Sequence, residues 1–307
     1  MTTGMLGGIE FGGTKTVCVV GTAGTVTTET RFPTGSDPMA NLQQCIEFFR
    51  AQGGVDAIGV GSFGPCDPDV DSPTYGFVTT TPKPGWSNFD VVGTLREGLP
   101  KTVLGFDTDV NVAALGELIH GAGRGLKSLV YLTIGTGVGG GLIADGHLIH
   151  GLVHPEMGHI RIRRPLAEEE QFAGVCPYHG DCLEGVASGP ALAERWGTPA
   201  HEIGPDDVRY APLWDLEASY VADALHTFVC TVSPQRIVLG GGVGQQPQLI
   251  DRVRPLLQRS LAGYIASPSI LEHINEYVVP PSLGNQSGGI GAMELASRSL
   301  VITKPVG

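Results

Sequence analysis

Short apolar runs that end at glycine or polar turns divide the chain into predicted strands and helices. The first two runs, residues 6–11 and 16–20, are separated by Gly-Gly-Thr-Lys, a pattern that predicts strand, tight turn and strand. Longer segments with helical spacing of apolar residues lie between the later runs. Further strands are predicted over residues 57–60, 103–106, 129–134, 138–143 and 236–239, and helices over 38–50, 112–120, 213–231 and 289–300.

The opening pattern recurs in the second half, where Gly-Thr-Gly separates the apolar runs that begin at 129 and 138. This recurrence indicates a duplicated α/β unit. We place a boundary near residue 120, so that residues 1–120 form an N-terminal lobe and residues 121–288 a C-terminal lobe. The last helix, about 289–307, is expected to return to the first lobe. A cleft between two such lobes is a natural site for a small molecule.

Composition narrows the class of ligand. The net charge of −12 disfavours nucleic acid and anionic membrane surfaces as partners, because both are polyanions. No apolar stretch reaches the length of a membrane span, and the first residues lack an export signal, so a cytoplasmic protein is expected. Glycine accounts for 46 of 307 residues and is clustered, which indicates loops where backbone approaches a ligand.

Three glycine segments are candidates for nucleotide binding. The first offers backbone N–H groups, a hydroxyl and a cation in one turn, as a phosphate cradle does, although an ordinary hairpin turn fits equally well. The second repeats that chemistry, which favours the phosphate role for both. The third follows a strand, where glycine could admit a nucleoside or simply allow tight strand–helix packing. The candidates are Gly12, Gly13, Thr14 and Lys15; Gly135, Thr136 and Gly137; and Gly240, Gly241 and Gly242.

Asp107 and Asp109 follow a predicted strand, where side chains project into the cleft of an α/β fold. A carboxylate there can accept a proton from a substrate hydroxyl or hold magnesium. Asp109 could instead be the N-cap of the next helix. The loops at 61–65 and 84–86 carry little charge and suit a neutral polar ligand. The intervening stretch, 66–90, is predicted to be an irregular surface excursion.

Residues 154–184 combine possible metal ligands with acids. His159, Cys176, His179 and Cys182 have the residue types and close spacing of a structural zinc site, which is tetrahedral and closed. In a cytosolic chain these cysteines are better interpreted as ligands than as a disulfide. Glu156 and Glu184 flank them, which suggests a metal that stiffens a substrate-binding loop.

Taken together, these segments resemble the repressor/open-reading-frame/kinase (ROK) group of sugar kinases, and within it the bacterial fructokinase branch. The resemblance covers nearly the whole chain in the order of the family. The matching segments are I-E-F-G-G-T-K at 9–15, G-S-F-G-P at 61–65, T-D-V-N-V-A-A-L-G-E at 108–117, I-G-T-G-V-G-G-G at 134–141, H-P-E-M-G-H at 154–159, C-P-Y-H-G-D-C-L-E-G at 176–185 and I-V-L-G-G-G-V at 237–243.

The resemblance implies an α/β, two-lobed, actin-like ATPase fold with ribonuclease-H-like domains and a central ligand cleft. It implies transfer of the γ-phosphoryl group of Mg²⁺-bound ATP to a hexose, with Asp109 as the catalytic base and Zn²⁺ as a structural ion. The four predicted zinc ligands match the zinc site of the family. Glu156, His159 and Glu184 match sugar-contacting residues, and we add Gly64, Pro65 and Thr108 as candidate sugar-binding residues.

Three departures favour the fructokinase branch over a glucokinase: Glu10 in place of Asp, Thr108 in place of Asn, and the C-x2-H-x2-C spacing. Fructose is therefore the expected substrate, with glucose, mannose or an N-acetylated hexose as the alternative. A sugar-sensing regulator of the same family is the alternative of another class. It is disfavoured because the first strand begins too early for a preceding DNA-binding module and because the base and phosphate turns are present. Family members often dimerise, so a homodimer is one expectation.

Overall fold

The computed structural model describes residues 4–22, 24–164 and 171–303. Each of two five-stranded sheets has four pairs of neighbouring strands, of which the first two are antiparallel and the last two are parallel. The duplicated unit predicted from the two glycine turns is therefore present. The strands are β1 (Leu6–Phe11), β2 (Lys15–Thr22), β3 (Thr25–Pro33), β4 (Ala57–Ser62), β5 (Phe77–Val78), β6 (Phe89–Asp90), β7 (Val103–Thr108), β8 (Leu129–Ile134), β9 (Val138–Ala144), β10 (His147–Leu148), β11 (Arg236–Gly240) and β12 (Val278–Val279).

In the first sheet the order is β3-β2-β1-β4-β7, and in the second it is β10-β9-β8-β11-β12. The helices occupy the faces of these sheets and the connections between strands. They are α1 (Pro38–Ala51), α2 (Val91–Gly98), α3 (Asp109–His120), α4 (Leu183–Ala187), α5 (Gly189–Trp196), α6 (Tyr210–Val232), α7 (Gly241–Gly244), α8 (Pro247–Leu261), α9 (Pro268–Leu271), α10 (Ile274–Tyr277) and α11 (Ser287–Thr303).

Helices α3 and α11 pack against each other between the two sheets, with α11 on the first sheet and α3 on the second. Glycine permits this close crossing: a Cβ on Gly116 would lie 2.4 Å from the carbonyl oxygen of Ser287. The buried carboxylate of Glu117 accepts hydrogen bonds from the Ser287 hydroxyl and from the Leu283 amide. Helix α11 packs against β1 and β4 of the first sheet, while residues 304–307 lie outside the described residues.

Several elements were not predicted from the sequence, and two of these differences bear on the first sheet and its core. Strand β3 was not predicted, because its alternation of polar and apolar residues is weak on an edge strand that is half exposed. The stretch 66–90 is not only an irregular excursion: β5 and β6 pair within it, and Trp86 is fully buried. Trp86 packs against the rings of Phe11, Phe63 and Phe89, so the segment is anchored to the first core. Among the described helices, none is both long and apolar enough to cross a membrane.

Candidate active site

Asp109 is the first residue of α3, directly after β7. The N-cap of α3 is Thr108, whose hydroxyl accepts a hydrogen bond from the Asn111 amide at 3.1 Å, so Asp109 is not the cap. Within the described residues the Asp109 carboxylate accepts a local hydrogen bond, from the Val110 amide at 2.9 Å. Burial, followed by the negative charge of Glu10, raises the pKa of Asp109 to about 7. Such a carboxyl group is suited to exchange protons near neutral pH.

Four carboxyl groups form an acidic cluster around this position: Glu10, Asp109, Glu156 and Glu184. The charges of Glu10 and Glu156 both raise the pKa of Asp109. Burial, and then the charge of Glu184, raises the pKa of Glu156 to about 7. The structure therefore brings together the predicted base and two predicted sugar-binding acids. Ionised carboxylates grouped in this way can accept several hydrogen bonds from a polyhydroxyl ligand.

The first two glycine segments are tight turns with free backbone donors. In the described residues, the amides of Gly13 and Thr14 have no hydrogen-bond acceptor, and the same holds for Thr136 and Gly137. The turns themselves are fixed, since the Gly12 amide donates to the Lys15 carbonyl oxygen at 2.9 Å. Free N–H groups in a rigid turn suit phosphate oxygens. Each turn also lies near an acid of the cluster. The charge of Lys15 lowers the pKa of Glu10, and the Val138 amide donates a hydrogen bond to the Glu184 carboxylate at 3.0 Å.

The third glycine segment combines the two alternatives that the sequence left open. A Cβ on Gly240 would lie 2.3 Å from the Tyr131 hydroxyl oxygen, and Gly241 has a φ of +80°, so both serve close packing. Gly242, by contrast, has open space where a Cβ would be and lines a cavity of 730 Å³. Gly135 and Thr136 line the same cavity, whose volume is within the usual range for a small-molecule site.

Most of that cavity was missed by the sequence analysis. Beyond the glycine segments, its lining comes from α5, from the segment 199–205, from the start of α6 and from the segment after Gly242, and it includes none of the four acids. No local motif marks these residues, because they contribute apolar surface and a few amides from separate elements. The residues beyond the glycine segments are Gly189, Pro190, Ala193, Pro199, Ala200, His201, Ile203, Gly204, Pro205, Tyr210, Trp214, Val243, Gln246 and Gln248.

The loop at 61–65 lies against the segment that carries Glu156. The imidazole Nε2 of His154 accepts a hydrogen bond from the Cys66 amide at 3.2 Å, and a Cβ on Gly64 would lie 3.1 Å from the His154 ring. His154 thereby places Gly64 and Pro65 beside the acidic cluster. Thr108 is buried, with its hydroxyl engaged as the α3 cap, so its sugar-binding role stays a prediction.

An interaction between Asp107 and His150, near the predicted base, was not foreseen from the sequence. The Asp107 carboxylate accepts hydrogen bonds from the Asn111 amide group at 2.7 Å and from His150 Nε2 at 2.9 Å. This bond to Asp107 raises the pKa of His150. The pair joins the end of β7 to the loop after β10, so it fixes the strand end from which Asp109 projects. Asp107 was visible in the sequence, whereas His150 belongs to no recognisable motif.

The four predicted zinc ligands form a cluster in which all ligand atoms lie within 4.8 Å of one another. The Nδ1 atom of His159 lies 3.4 Å from Cys182 Sγ and 3.8 Å from Cys176 Sγ, and His179 Nδ1 lies 3.7 Å from Cys176 Sγ. These separations fit the edges of a tetrahedron around an ion with bonds of about 2.0–2.3 Å to nitrogen and sulfur. Since Nδ1 of His159 faces the cluster, its Nε2 is directed away from it.

Comparisons with known proteins agree with this arrangement. The ROK family model matches residues 6–299. A Bacillus subtilis (strain 168) protein that is provisionally named a fructokinase is 46% identical over 297 residues, covering 96% of each chain. The fructokinase of Pediococcus pentosaceus is 40% identical and covers 96% of this chain and 99% of its own.

Among solved structures, the ROK hexokinase from Thermus thermophilus superposes with a TM-score of 0.77 at 26% identity. The match covers 97% of this chain and 99% of that one. The predicted actin-like ATPase fold is thereby confirmed. With a family match over residues 6–299 and a relative that is 46% identical over 96% of each chain, this chain belongs to the ROK family.

Proposed function

We propose that this protein is an ATP-dependent hexose kinase that converts fructose and Mg²⁺-bound ATP to fructose 6-phosphate. The observation that carries the proposal is Asp109, a carboxyl group whose pKa is raised to about 7 at the start of α3, within the acidic cluster. A sugar hydroxyl is a weak nucleophile at neutral pH, so a nearby base and well-placed phosphate donors are what the reaction needs.

In this mechanism Asp109 accepts the proton of the sugar O6 hydroxyl as that oxygen attacks the γ-phosphorus, and the bond from the γ-phosphorus to the bridging oxygen breaks, so that ADP leaves. The free amides of Gly13 and Thr14 bind phosphate oxygens on one side, and those of Thr136 and Gly137 bind them on the other. Magnesium bound with ATP would supply positive charge that offsets the charge of the phosphates. Carboxylate oxygens are the ligands that magnesium prefers, and Glu10 is placed beside the first turn to support it.

Glu156 and Glu184 accept hydrogen bonds from the other hydroxyl groups of the sugar. A hexose that left these carboxylates unpaired would bind poorly, since burying an unsatisfied polar group is costly. The cavity of 730 Å³ then receives the adenosine part of ATP, with Gly242 against the nucleoside. In this proposal the adenosine part of ATP lies on the lobe of residues 121–288, whereas the first phosphate turn belongs to the lobe of residues 1–120.

Fructose is proposed as the preferred sugar because relatives named as fructokinases are 40–46% identical over nearly the whole chain. Glucokinases of the family are also related to this chain, at 30% identity or less. The reaction uses ATP, which is consistent with the cytoplasmic location expected from the sequence. The homodimer stays a prediction, and a purely sugar-sensing regulator is disfavoured by the intact base and phosphate turns.

A panel of hexoses tests the proposal directly. With Mg²⁺-bound ATP, we expect kcat/KM for fructose to exceed that for glucose, mannose and N-acetylmannosamine by about tenfold or more, the discrimination expected from unpaired buried polar groups. ADP release in a coupled assay measures each rate. A higher kcat/KM for glucose would change the proposed substrate but would still support a hexose kinase. No ADP release with any hexose would favour the regulator.

The raised pKa of Asp109 predicts how activity depends on pH. A base must be unprotonated, so with a pKa of about 7 the value of kcat/KM should fall about tenfold per unit as the pH drops below 7. Above that pH it should reach a plateau, because the carboxylate is then fully ionised. A pH profile at saturating ATP measures this limb. Activity that is constant from pH 5 to 8 would contradict the base assignment.

A further inference from the structure

Lys83 is a cation at the first phosphate turn that the mechanism above does not use. Its ammonium nitrogen donates to the carbonyl oxygen of Gly13 at 2.6 Å. The same nitrogen lies 5.7 Å from the ring centroid of Phe63, within the loop at 61–65. Lys83 therefore reaches the point where the proposed sugar loop and the proposed phosphate turn meet.

The backbone that carries Lys83 is firmly anchored. The Trp86 ring is buried, and its Nε1–H donates to the carbonyl oxygen of Gly35 at 3.1 Å. The Trp86 amide donates to the Lys83 carbonyl oxygen at 3.3 Å, and the Lys83 amide donates to the Thr81 hydroxyl at 3.3 Å. Gly85 has a φ of +81°, and a Cβ there would lie 2.0 Å from the Ser36 carbonyl oxygen. These hydrogen bonds and close contacts hold the backbone of Lys83 in place.

The charge of Lys83 has no carboxylate partner within the part of the chain that the structure describes. Lys15 is the other cation of the turn. Its positive charge lowers the pKa of Glu10, which burial raises. Burial lowers the pKa of Lys83, as expected for an ammonium group that has lost water without gaining an anion. An ammonium group has three donors, and among the described residues only the Gly13 carbonyl oxygen accepts one of them.

We propose that the Lys83 ammonium group binds the phosphoryl group during its transfer and then the phosphate of the sugar-phosphate product. Two kinds of group meet at this site: the carboxylates of Glu10 and Asp109, and a phosphate that becomes a dianion on the product. A cation at the first phosphate turn offsets the charge of that phosphate, and a charge-assisted hydrogen bond to phosphate is stronger than a neutral one. The inference rests on the proposed kinase function and adds a substrate-contacting residue to it.

The test uses Lys83→Met and Lys83→Gln, with Lys101→Met as the matched control because Lys101 is an exposed lysine of the same lobe. The glutamine side chain can still donate to the Gly13 carbonyl oxygen, but it carries no charge. For both Lys83 variants we expect kcat to fall about 30-fold, below the loss caused by removing a fully buried transition-state donor. The affinity for fructose 6-phosphate, measured by calorimetry, should fall about tenfold, while the affinity for fructose stays within twofold.

The outcomes separate the possible roles. Lys83→Arg should recover most of the product affinity because it restores the charge. Product affinity equal to wild type in Lys83→Met and Lys83→Gln would overturn the proposal, as would a loss of fructose binding in the methionine variant that glutamine restores in full, because that pattern belongs to a structural bond. If wild type phosphorylates a different hexose, the phosphate of that hexose replaces fructose 6-phosphate in the titration. Wild type without kinase activity would refute the proposed function, whereas active wild type with indifferent Lys83 variants refutes only this inference.

Discussion

Asp109→Asn is expected to lower kcat by about 10³-fold while the dissociation constant for fructose stays within about threefold of wild type. General-base catalysis contributes 10²–10⁴-fold, and the amide has no basic site to accept the proton of the sugar hydroxyl. The asparagine oxygen can still accept the Val110 amide hydrogen, which Asp109 accepts at 2.9 Å, so the start of α3 should be preserved. Steady-state kinetics give kcat, and calorimetry with fructose gives the binding constant.

Asp90→Asn is the matched control for this experiment. Asp90 is a half-buried carboxylate at the start of α2, where it accepts a hydrogen bond from the Gly93 amide at 2.6 Å. The control removes the same charge at another helix start, the N-cap of α2, which is outside the acidic cluster, so turnover should be close to wild type. If Asp109→Asn keeps more than a tenth of wild-type turnover, Asp109 is not the base. If that variant loses fructose binding as well, the residue shapes the sugar pocket.

The parts of this site that could be predicted are those encoded by short, local patterns. Each glycine turn lies between two apolar runs, so strand, turn and strand can be inferred from about a dozen residues. The candidate zinc ligands were recognisable for a similar reason, since three of the four lie within seven residues of one another. Residues that are separated by a short loop in the sequence are also close to one another in the structure.

The parts that could not be predicted depend on contacts between distant segments. The cavity is formed by Pro190, Tyr210 and Gln246 together with the second glycine turn, and the chain brings these elements together only through packing on the second sheet. The partner of Asp107, His150, comes from the far end of the β9–β10 hairpin. Hydrophobic pattern predicts which face of an element is buried, but not which side chain from another element will meet it.

The choice between Asp109 as base and Asp109 as helix cap shows where sequence reasoning ends. Thr108 and Asp109 are adjacent, and both residue types are favoured at N-caps. The extended conformation of Thr108 decides the outcome, because its hydroxyl then reaches the Asn111 amide. With that donor satisfied by Thr108, the Asp109 carboxylate is available for other chemistry. If the N-cap were Asp109 instead of Thr108, the Asp109 carboxylate would have a structural role. Because the cap is one residue earlier, Asp109 is a candidate catalytic residue.

Cys176→Ser is expected to remove the metal and to weaken both the fold and sugar binding. The serine hydroxyl is a poor replacement for a thiolate ligand, so bound zinc should fall from about one ion per chain to well below that. If free zinc exceeds its dissociation constant about a thousandfold, the lost stabilisation is about 4 kcal/mol. Elemental analysis measures the metal, and thermal unfolding measures the stability.

The effect on sugar binding follows from the orientation of His159. Its Nδ1 faces Cys182 Sγ at 3.4 Å, so a bound metal holds the ring with Nε2 directed away from the cluster, where the proposed sugar lies. Without the metal the ring can rotate, and we expect KM for fructose to rise about tenfold, which corresponds to about 1.4 kcal/mol. Cys230→Ser is the control, because Cys230 is an exposed cysteine outside the cluster. A wild-type protein that contains no zinc, or a Cys176→Ser variant with unchanged stability and KM, would show that these four residues do not form a structural metal site.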